Sequence, residues 1–389
     1  MTKRLMPQHG DIALLGAFCL FLSTIEYLIP KPLPFFRIGL ANLPLLLAVD
    51  LFPFKSFLLL MLIKILGQAL VSGTLFSYIF LFSLSGTLVS TLTMYGIRRM
   101  AGKRFLSFIG IGVAGATVSN IIQLVYAQLF LFGESARYIA PPFLGAGLIT
   151  GFSLGAFCEY FSSLSKWYNS RLHGEIIPGK EQESSPLVPD SSRIHTFFSS
   201  RDLCIAGLLA MPALLFNPDT MSRIYQFFLF TIYALLLHKK INAVMTIIVM
   251  LTIILFNLFI PFGTILFSIG SFRLSSGALR TGIGRAVTLE GLIMLSKASI
   301  RSDLRLPGTM GALIGESFRL FALITERKGR IRAKTIVSDI DSLMIDLGSI
   351  NPGKTLPTYK IRSTRTGTII LITAVLLAWL PVGVRIFSY

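Results

Sequence analysis

The sequence predicts an all-α, polytopic helical membrane protein, and two observations carry this prediction. The 389 residues are 53% hydrophobic and only 14% charged, so too few polar side chains remain to cover a soluble domain. Long apolar runs also recur, at Ile12 to Ile29, Phe105 to Gly133 and Gly367 to Val384. These runs are continuously apolar rather than alternating, which favours spanning helices of about 20 residues over barrel strands. We therefore expect a multi-pass protein of the cell membrane.

The formal net charge of +18 suggests nucleic-acid binding, but its distribution argues against that function. Lysine and arginine cluster in short segments between the apolar runs, which is the positive-inside pattern of membrane proteins. The expected partner of the apolar surface is the lipid bilayer, and we expect no nucleic-acid partner.

Residues 1–165 accommodate six spans, at roughly 11–30, 37–53, 56–73, 75–97, 105–132 and 139–163. The first run follows a short basic start and lacks a convincing cleavage site, so we interpret it as an uncleaved first helix. With both ends of this module in the cytoplasm, most basic segments share one side. Lys31 and Arg37 are exceptions, because they fall in the expected outer loop after the first span.

Residues 166–200 are rich in Gly, Ser, Pro and charge, which predicts a cytoplasmic linker between two membrane modules. In the second module, 201–389, we expect spans near 202–217, 223–238, 241–260, 262–280 and 366–386. The stretch from about 285 to 365 is basic, and its apolar residues recur at helical spacing. They are Leu313, Ile314, Phe318, Phe321, Ile324, Ile331, Ile336, Ile340, Leu343 and Leu347. Such amphipathic helices lie along a membrane, dock a partner or simply form a protein surface.

The sequence gives little support for catalysis. Gly174 to Lys180 has the spacing of a phosphate-binding loop, but Glu181 stands where Ser or Thr must hold Mg²⁺. There is no Asp-Asp-x-x-Asp cluster, and we expect Asp339, Asp341 and Asp346 to form a solvated helix face. The four histidines have no partner at metal or triad spacing. We therefore expect no enzyme activity, no catalytic residue, no metal and no cofactor.

Polar residues inside the predicted spans of the first module are the candidate site. Ionisable and amide side chains are costly at membrane depth, and they usually face a bundle interior or a cavity. The candidates for substrate binding are Glu26, Asn42, Lys64, Gln68, Asn120, Gln123 and Glu159, with Arg37 at the outer mouth. Arg37 and Lys31 there favour an anionic ligand. Interhelical hydrogen bonding is the alternative use of these side chains. The dense small residues of the fourth to sixth spans have two readings, compact packing around a cavity or generic membrane packing.

Residues 37–47, Arg-Ile-Gly-Leu-Ala-Asn-Leu-Pro-Leu-Leu-Leu, resemble the signature after the first span of the Gx transporter family. Residues 72–77 and 83–86, Ser-Gly-Thr-Leu-Phe-Ser and Ser-Leu-Ser-Gly, resemble it too. That family is also labelled heptaprenyl diphosphate synthase component I. It is similar to the six-helix, substrate-binding S components of energy-coupling factor (ECF) transporters. The resemblance covers about residues 10–165 and implies a small-molecule binding module.

The second module is similar to the transmembrane T component of the same transporters. The similarity rests on residues 256–267, on Thr-Leu-Glu-Gly-Leu at 288–292 and on Leu-Arg-Leu at 304–306. In that family a membrane region precedes long cytoplasmic coupling helices, which press on two ATPase subunits, and a final span. The Ala-Arg-Gly coupling motifs of the family are not present as such, and residues 326–330, Glu-Arg-Lys-Gly-Arg, lie where one is expected.

Together these resemblances imply uptake of a small molecule, driven by separately encoded ATPase subunits. Arg327, Arg330 and Arg332 are the residues expected to contact those subunits. Two rival functions stay open. One is an accessory membrane subunit of isoprenoid or quinone synthesis, which a soluble partner with Asp-rich motifs would favour. The other is a structural subunit of a membrane redox complex, for which a neighbouring flavin or iron–sulfur protein would argue.

Overall fold

The computed structural model describes residues 9–29, 36, 38–174, 197–269, 272–301, 304, 308–330, 332, 335–348 and 363–386. The first module begins with α1 (His9–Leu28), a 3-10 turn (Leu40–Asn42), α2 (Leu43–Leu51), α3 (Phe54–Ser72) and α4 (Tyr78–Phe105). It continues through α5 (Phe108–Ala127), a π-helical turn (Gln128–Phe132), a 3-10 turn (Gly133–Ser135), α6 (Ala136–Leu164) and α7 (Lys166–His173). Helix α7 occupies the first residues of the predicted linker 166–200, so the first module of the structure comprises 9–173 and the second module 200–386.

The second module contains α8 (Ser200–Leu215), α9 (Thr220–Leu236), α10 (Ala243–Leu258), the strands β1 (Ile265–Ile269) and β2 (Phe272–Ser275), and α11 (Ser276–Ser299). It ends with α12 (Gly308–Glu326), a 3-10 turn (Lys328–Arg330), α13 (Ile336–Gly348) and α14 (Arg365–Ile386).

Five helical segments in the described ranges are long and apolar enough to cross a membrane. They are 9–28, 54–72, 78–102, the 57-residue segment 108–164 and 365–384. These segments confirm the predicted all-α, multi-pass membrane protein.

The predicted spans 202–217, 223–238 and 241–260 are the helices α8, α9 and α10, of 16, 17 and 16 residues, which are not among the segments long and apolar enough to cross a membrane. Two more predicted spans have a different form. The 3-10 turn and α2 together cover residues 40–51, which is about 18 Å of helix and too short to cross a bilayer alone. The span predicted at 262–280 is wrong, because an antiparallel hairpin pairs Ile265 with Ser275 and Ser268 with Arg273. Gly263, with φ +81°, lies between α10 and this hairpin, and Arg273 would have been a charge in the middle of the predicted span.

Close glycine contacts hold α4, α5 and α6 as neighbouring antiparallel helices. A Cβ on Gly112 would lie 2.7 Å from Gly151 O, and one on Gly155 would lie 2.5 Å from Ile109 Cα. Small residues at such crossings let membrane helices approach until their backbones touch. The α3–α4 and α5–α6 junctions therefore lie at the same end of the first bundle.

Helix α11 is the central helix of the second module. It packs against α8, α9 and α10, and most of its residues from Ala286 to Ser299 are buried. The amphipathic stretch was predicted to start at about 285, but the structure starts it at α12, because every residue of 286–299 except Lys297 is buried.

Helix α11 also runs across one end of the first bundle. Near its middle, Arg285 Nη1 would lie 2.9 Å from a Cβ on Gly133 at the α5–α6 junction. Near its end, Ser296 Oγ accepts a hydrogen bond from Phe76 N, 3.0 Å away, at the α3–α4 junction. Because 11 residues of helix span about 17 Å, α11 lies across the ends of these helices, not alongside them.

The amphipathic helix α12 packs on the first module. Its buried Leu313, Ile314 and Leu320 belong to the same apolar core as α1 and α3. Ser317 is fully buried, and its Oγ would lie 2.8 Å from a Cβ on Gly16 of α1. The apolar face that the sequence predicted therefore contacts a helix of the same chain.

Helix α13 is hydrogen-bonded to the end of the first module through Asp341. The carboxylate accepts hydrogen bonds from Ser165 Oγ at 2.5 Å, Lys166 N at 3.1 Å and Trp167 N at 3.0 Å. It thereby supplies an acceptor and a negative charge to the N-terminus of α7. The prediction that Asp341 lies on a solvated face is wrong, because its side chain is buried in this contact.

Candidate functional site

A small polar cavity lies inside the first bundle, between α1, the 3-10 turn and α3 to α6. Its volume is about 60 Å³, which is room for a handful of water molecules. Six of the residues that the sequence analysis selected for substrate binding line it: Glu26, Asn42, Lys64, Gln68, Asn120 and Gln123. We call this space the bundle cavity.

Lys64 supplies a buried positive charge to the bundle cavity. The side chain is on α3, and the residue is only 3% exposed. Its Nζ donates hydrogen bonds to Asn42 Oδ1 at 2.8 Å and to Thr87 Oγ1 at 2.6 Å. An ammonium group at this depth is costly to desolvate, and apolar packing alone does not require it.

Glu26 approaches the same cavity from the end of α1. Its Oε1 accepts a hydrogen bond from Gly39 N at 3.2 Å. Gly39 has φ +88°, a conformation that side chains with a Cβ rarely adopt. The glycine thus lets the chain turn into the 3-10 helix with its N–H directed at the carboxylate.

The amide side chains of the bundle cavity retain unused hydrogen-bonding capacity. Gln123 Nε2 donates to Ser119 Oγ at 2.9 Å, and Asn120 Nδ2 donates to Phe143 O at 3.2 Å. Gln68 Oε1 and Gln123 Oε1 are buried without a hydrogen-bond partner. Buried polar atoms almost always have partners, so these two atoms require a ligand or an ordered water.

Two glycines make room for these amides. A Cβ on Gly86 would lie 2.9 Å from both Gln123 Nε2 and Ser119 Oγ. A Cβ on Gly147 would lie only 1.8 Å from Asn120 Nδ2. The small residues were interpreted either as packing around a cavity or as generic membrane packing. The first interpretation applies to Gly86 and Gly147, whereas Gly112 and Gly155 allow close contact between helices.

We expect Gly147→Ala to displace Asn120 from the bundle cavity, because the new methyl group would occupy the position of the amide nitrogen. The expected result is a loss of bound solute of at least about tenfold, measured by mass spectrometry of the purified protein. Gly145→Ala is the matched control on the same helix, because a Cβ there meets nothing within 4 Å. Equal solute retention in both variants would contradict this role of Gly147.

Glu159 is not among the residues that line the bundle cavity. Glu159 Oε2 accepts a hydrogen bond from Phe108 N at 2.9 Å, so this carboxylate caps the start of α5 instead. Arg37 and Lys31 lie outside the described residues.

The three predicted partner-binding residues lie between α12 and α13. Arg327 follows α12 and is half-buried, Arg332 is exposed, and the side chain of Arg330 is outside the described residues. Arg332 N and the Thr335 hydroxyl donate to the Asp339 carboxylate, at 3.0 and 2.7 Å. These hydrogen bonds hold the pKa of Asp339 below its usual range and tie the basic segment to the start of α13.

A second and larger cavity lies between the two modules. Its volume is about 310 Å³, and we call it the interface cavity. Glu26 and Gln68 line it from the first module, and Glu290 and Lys297 line it from α11. The sequence analysis missed the last two, although an isolated carboxylate in the apolar run 286–296 was an available signal.

Within the described ranges, no three His, Cys, Asp or Glu side chains lie close enough together to hold a metal ion. Cys19 and Cys158 are buried and Cys204 is half-buried, and all three are free thiols. The chemistry that the bundle cavity offers is therefore hydrogen bonding and charge pairing.

The fold and the bundle cavity together define a multi-pass helical membrane protein that encloses polar groups in its first module. Residues 15–161 match the family model described as heptaprenyl diphosphate synthase component I, which confirms the resemblance inferred from residues 37–47. Residues 201–302 match a domain of unknown function (DUF8519). No curated protein and no solved structure gives a significant match.

Proposed function

We propose that the chain is the membrane component of an ECF-type uptake transporter and binds a small polar solute in the bundle cavity. The observation that carries this proposal is the pair of unpartnered amide oxygens, Gln68 Oε1 and Gln123 Oε1, in a cavity that also contains Lys64. A bundle stabilised only by interhelical hydrogen bonds would pair these atoms with each other or with the backbone.

The charge of Lys64 favours a solute that carries an anionic group, and the amides favour further hydroxyl or amide groups on it. The bundle cavity of about 60 Å³ is too small for most metabolites. We therefore infer that a solute is bound in a more open arrangement of the first module and that the present arrangement follows its release.

Two contacts between the modules support coupling to an external energy source. Helix α12 packs along α1, and α11 lies across the end of the first bundle. A force on α12 or α13 would therefore be transmitted to the helices that enclose the bundle cavity. We propose that ATP hydrolysis by separate ATPase subunits moves these helices and reorients the first module relative to the second.

Purification of the full chain in mild detergent tests this function. We expect mass spectrometry to detect a bound polar solute and co-purifying ATPase subunits. A preparation with neither would overturn the proposal.

We expect reversal of the charges of Arg327 and Arg332 to Glu to reduce ATPase co-purification at least about tenfold, because each reversal replaces attraction with repulsion at the docking surface. Arg280→Glu is the matched control, because the Arg280 side chain is 71% exposed and that of Arg332 is 74% exposed. Undiminished co-purification after the double reversal would rule out this docking surface.

The family description supports a second candidate, an accessory membrane subunit of heptaprenyl diphosphate synthesis. In this case the catalytic carboxylates would belong to a soluble partner. The same purification separates the candidates, because it would recover a soluble prenyl synthase with Asp-rich motifs in place of ATPase subunits.

A further inference from the structure

We propose that the interface cavity is a second station for the transported solute, which passes to it from the bundle cavity between Glu26 and Gln68. This inference rests on the proposed function and adds a route to it. Four features carry it: the composition of the walls, their origin in both modules, the connection between the cavities and the difference in volume.

The walls of the interface cavity combine buried charge with apolar surface. On α11, Glu290, Ile293 and Lys297 follow one another at helical spacing, so one face of that helix lines the space. Glu290 is 3% exposed, and Thr246 of α10 lines the same cavity. A buried carboxylate and a lysine facing the same space are costly in a membrane protein and mark solute pathways more often than packing.

The walls come from both modules, so the interface cavity exists only while the first bundle lies against α10 and α11. Ser72 and Thr74 line it from the end of α3, opposite Met245 and Thr246. The hydrogen bond from Phe76 N to Ser296 Oγ holds these two sides together next to the cavity. The site is therefore specific to this arrangement of the modules.

The two cavities share two wall residues. Glu26 and Gln68 line both of them, and the buried Gln68 Oε1 has no hydrogen-bond partner. An acceptor between two polar spaces offers a hydrogen bond to a solute in either one. The shared residues thus form a polar connection between the two cavities.

The volumes of the two cavities indicate the direction in which the solute moves. In this arrangement the bundle cavity measures about 60 Å³ and the interface cavity about 310 Å³. Only the interface cavity reaches the size of a metabolite site. A solute displaced by contraction of the first bundle would therefore move into the space between the modules. The solute class that fits both stations is a small polar molecule with hydroxyl, amine or amide groups in addition to charge.

The test measures access to the bundle cavity with a small thiol reagent, 2-aminoethyl methanethiosulfonate, on the purified full chain. A cysteine introduced at Ser119, which lines the bundle cavity but not the interface cavity, reports the rate. The background carries Cys204→Ala, since Cys19 and Cys158 are already buried. We expect Met245→Trp, which fills the interface cavity from α10, to slow labelling of the Ser119→Cys variant at least tenfold.

Leu251→Trp is the matched control, because Leu251 lies on the same helix, is 60% exposed and is not a wall residue of either cavity. It should leave the labelling rate unchanged. Met245→Ala, which enlarges the interface cavity, should leave the labelling rate unchanged or raise it. This result would show that slow labelling in the Met245→Trp variant comes from the bulk of Trp and not from the loss of Met245. Equal labelling rates in the Met245→Trp and Leu251→Trp variants would contradict the proposed passage between the two cavities.

Failure of the passage and failure of the proposed function give different results. If Met245→Trp does not slow labelling but the purified protein retains a solute that Gly147→Ala releases, the bundle cavity binds the solute and the route is wrong. If no solute is retained by any variant, the proposed function itself fails.

Discussion

Replacing Lys64 with methionine is expected to abolish retention of the bound solute while the protein stays folded. Lys64 Nζ is the buried cation of the bundle cavity and is held by Asn42 and Thr87. A hydrogen bond from a charged group contributes about 1.5–3 kcal/mol, which corresponds to about 10- to 150-fold in affinity. Methionine has a similar shape without the charge, and it removes the cost of desolvating an ammonium group, which offsets the hydrogen bonds that Asn42 and Thr87 lose. The measurement is the amount of co-purified solute per mole of protein.

The control for this experiment is Lys55→Met on the same helix. Lys55 is exposed at the start of α3 and does not line either cavity, so its replacement should leave solute retention at the wild-type level. Retention of the solute by the Lys64→Met variant would show that the buried lysine serves only to connect α3 with its neighbours, and it would remove the argument for an anionic solute.

Replacing Ser317 with leucine is expected to lift α12 from α1. Ser317 is fully buried and faces Gly16, where even a Cβ would come within 2.8 Å of its hydroxyl. Overfilling such a contact costs about 1–3 kcal/mol, or about a 5- to 150-fold loss of local protection. Hydrogen exchange of the α12 backbone amides should accelerate by that factor, and ATP-driven uptake should be lost with it.

Gly315→Leu is the comparison for the Ser317→Leu variant. Gly315 is two residues away on α12, and a Cβ there meets nothing within 4 Å. Leucine favours a helix over glycine by about 1 kcal/mol. Hydrogen exchange in the Gly315→Leu variant should therefore slow by no more than the factor of about five that corresponds to this free energy. Unchanged exchange in the Ser317→Leu variant would mean that α12 does not transmit force through α1.

The bundle cavity was accessible to sequence reasoning because polar residues are rare at membrane depth. Lys64, Asn120 and Gln123 stand out in their apolar spans, and the cost of burying them predicts a shared interior space. Glu159 was selected by the same reasoning, but its carboxylate, near the end of α6, accepts a hydrogen bond from Phe108 N at the start of α5. Periodicity and depth do not distinguish a cap from a cavity residue.

The second module was less predictable. The run 262–280 is apolar enough to suggest a span, but the turn at Gly263 and the strand pairing produce a hairpin. Conversely, α11 carries Glu290 and Lys297 and was assigned to the amphipathic stretch, although it is the buried centre of the module. Glu290 and Lys297 line the interface cavity, which only contact with the first module creates.

The sequence by itself determined that this chain is a multi-pass helical membrane protein, and it selected six of the residues that line the bundle cavity. Both conclusions follow from local free energies, the transfer of apolar runs into lipid and the burial of polar side chains. The tertiary structure alone decided that α12 packs on α1, that Asp341 caps α7 and that Glu26 and Gln68 lie between two cavities. Those features depend on residues up to several hundred positions apart, and amphipathic periodicity specifies that a face is buried without specifying its partner.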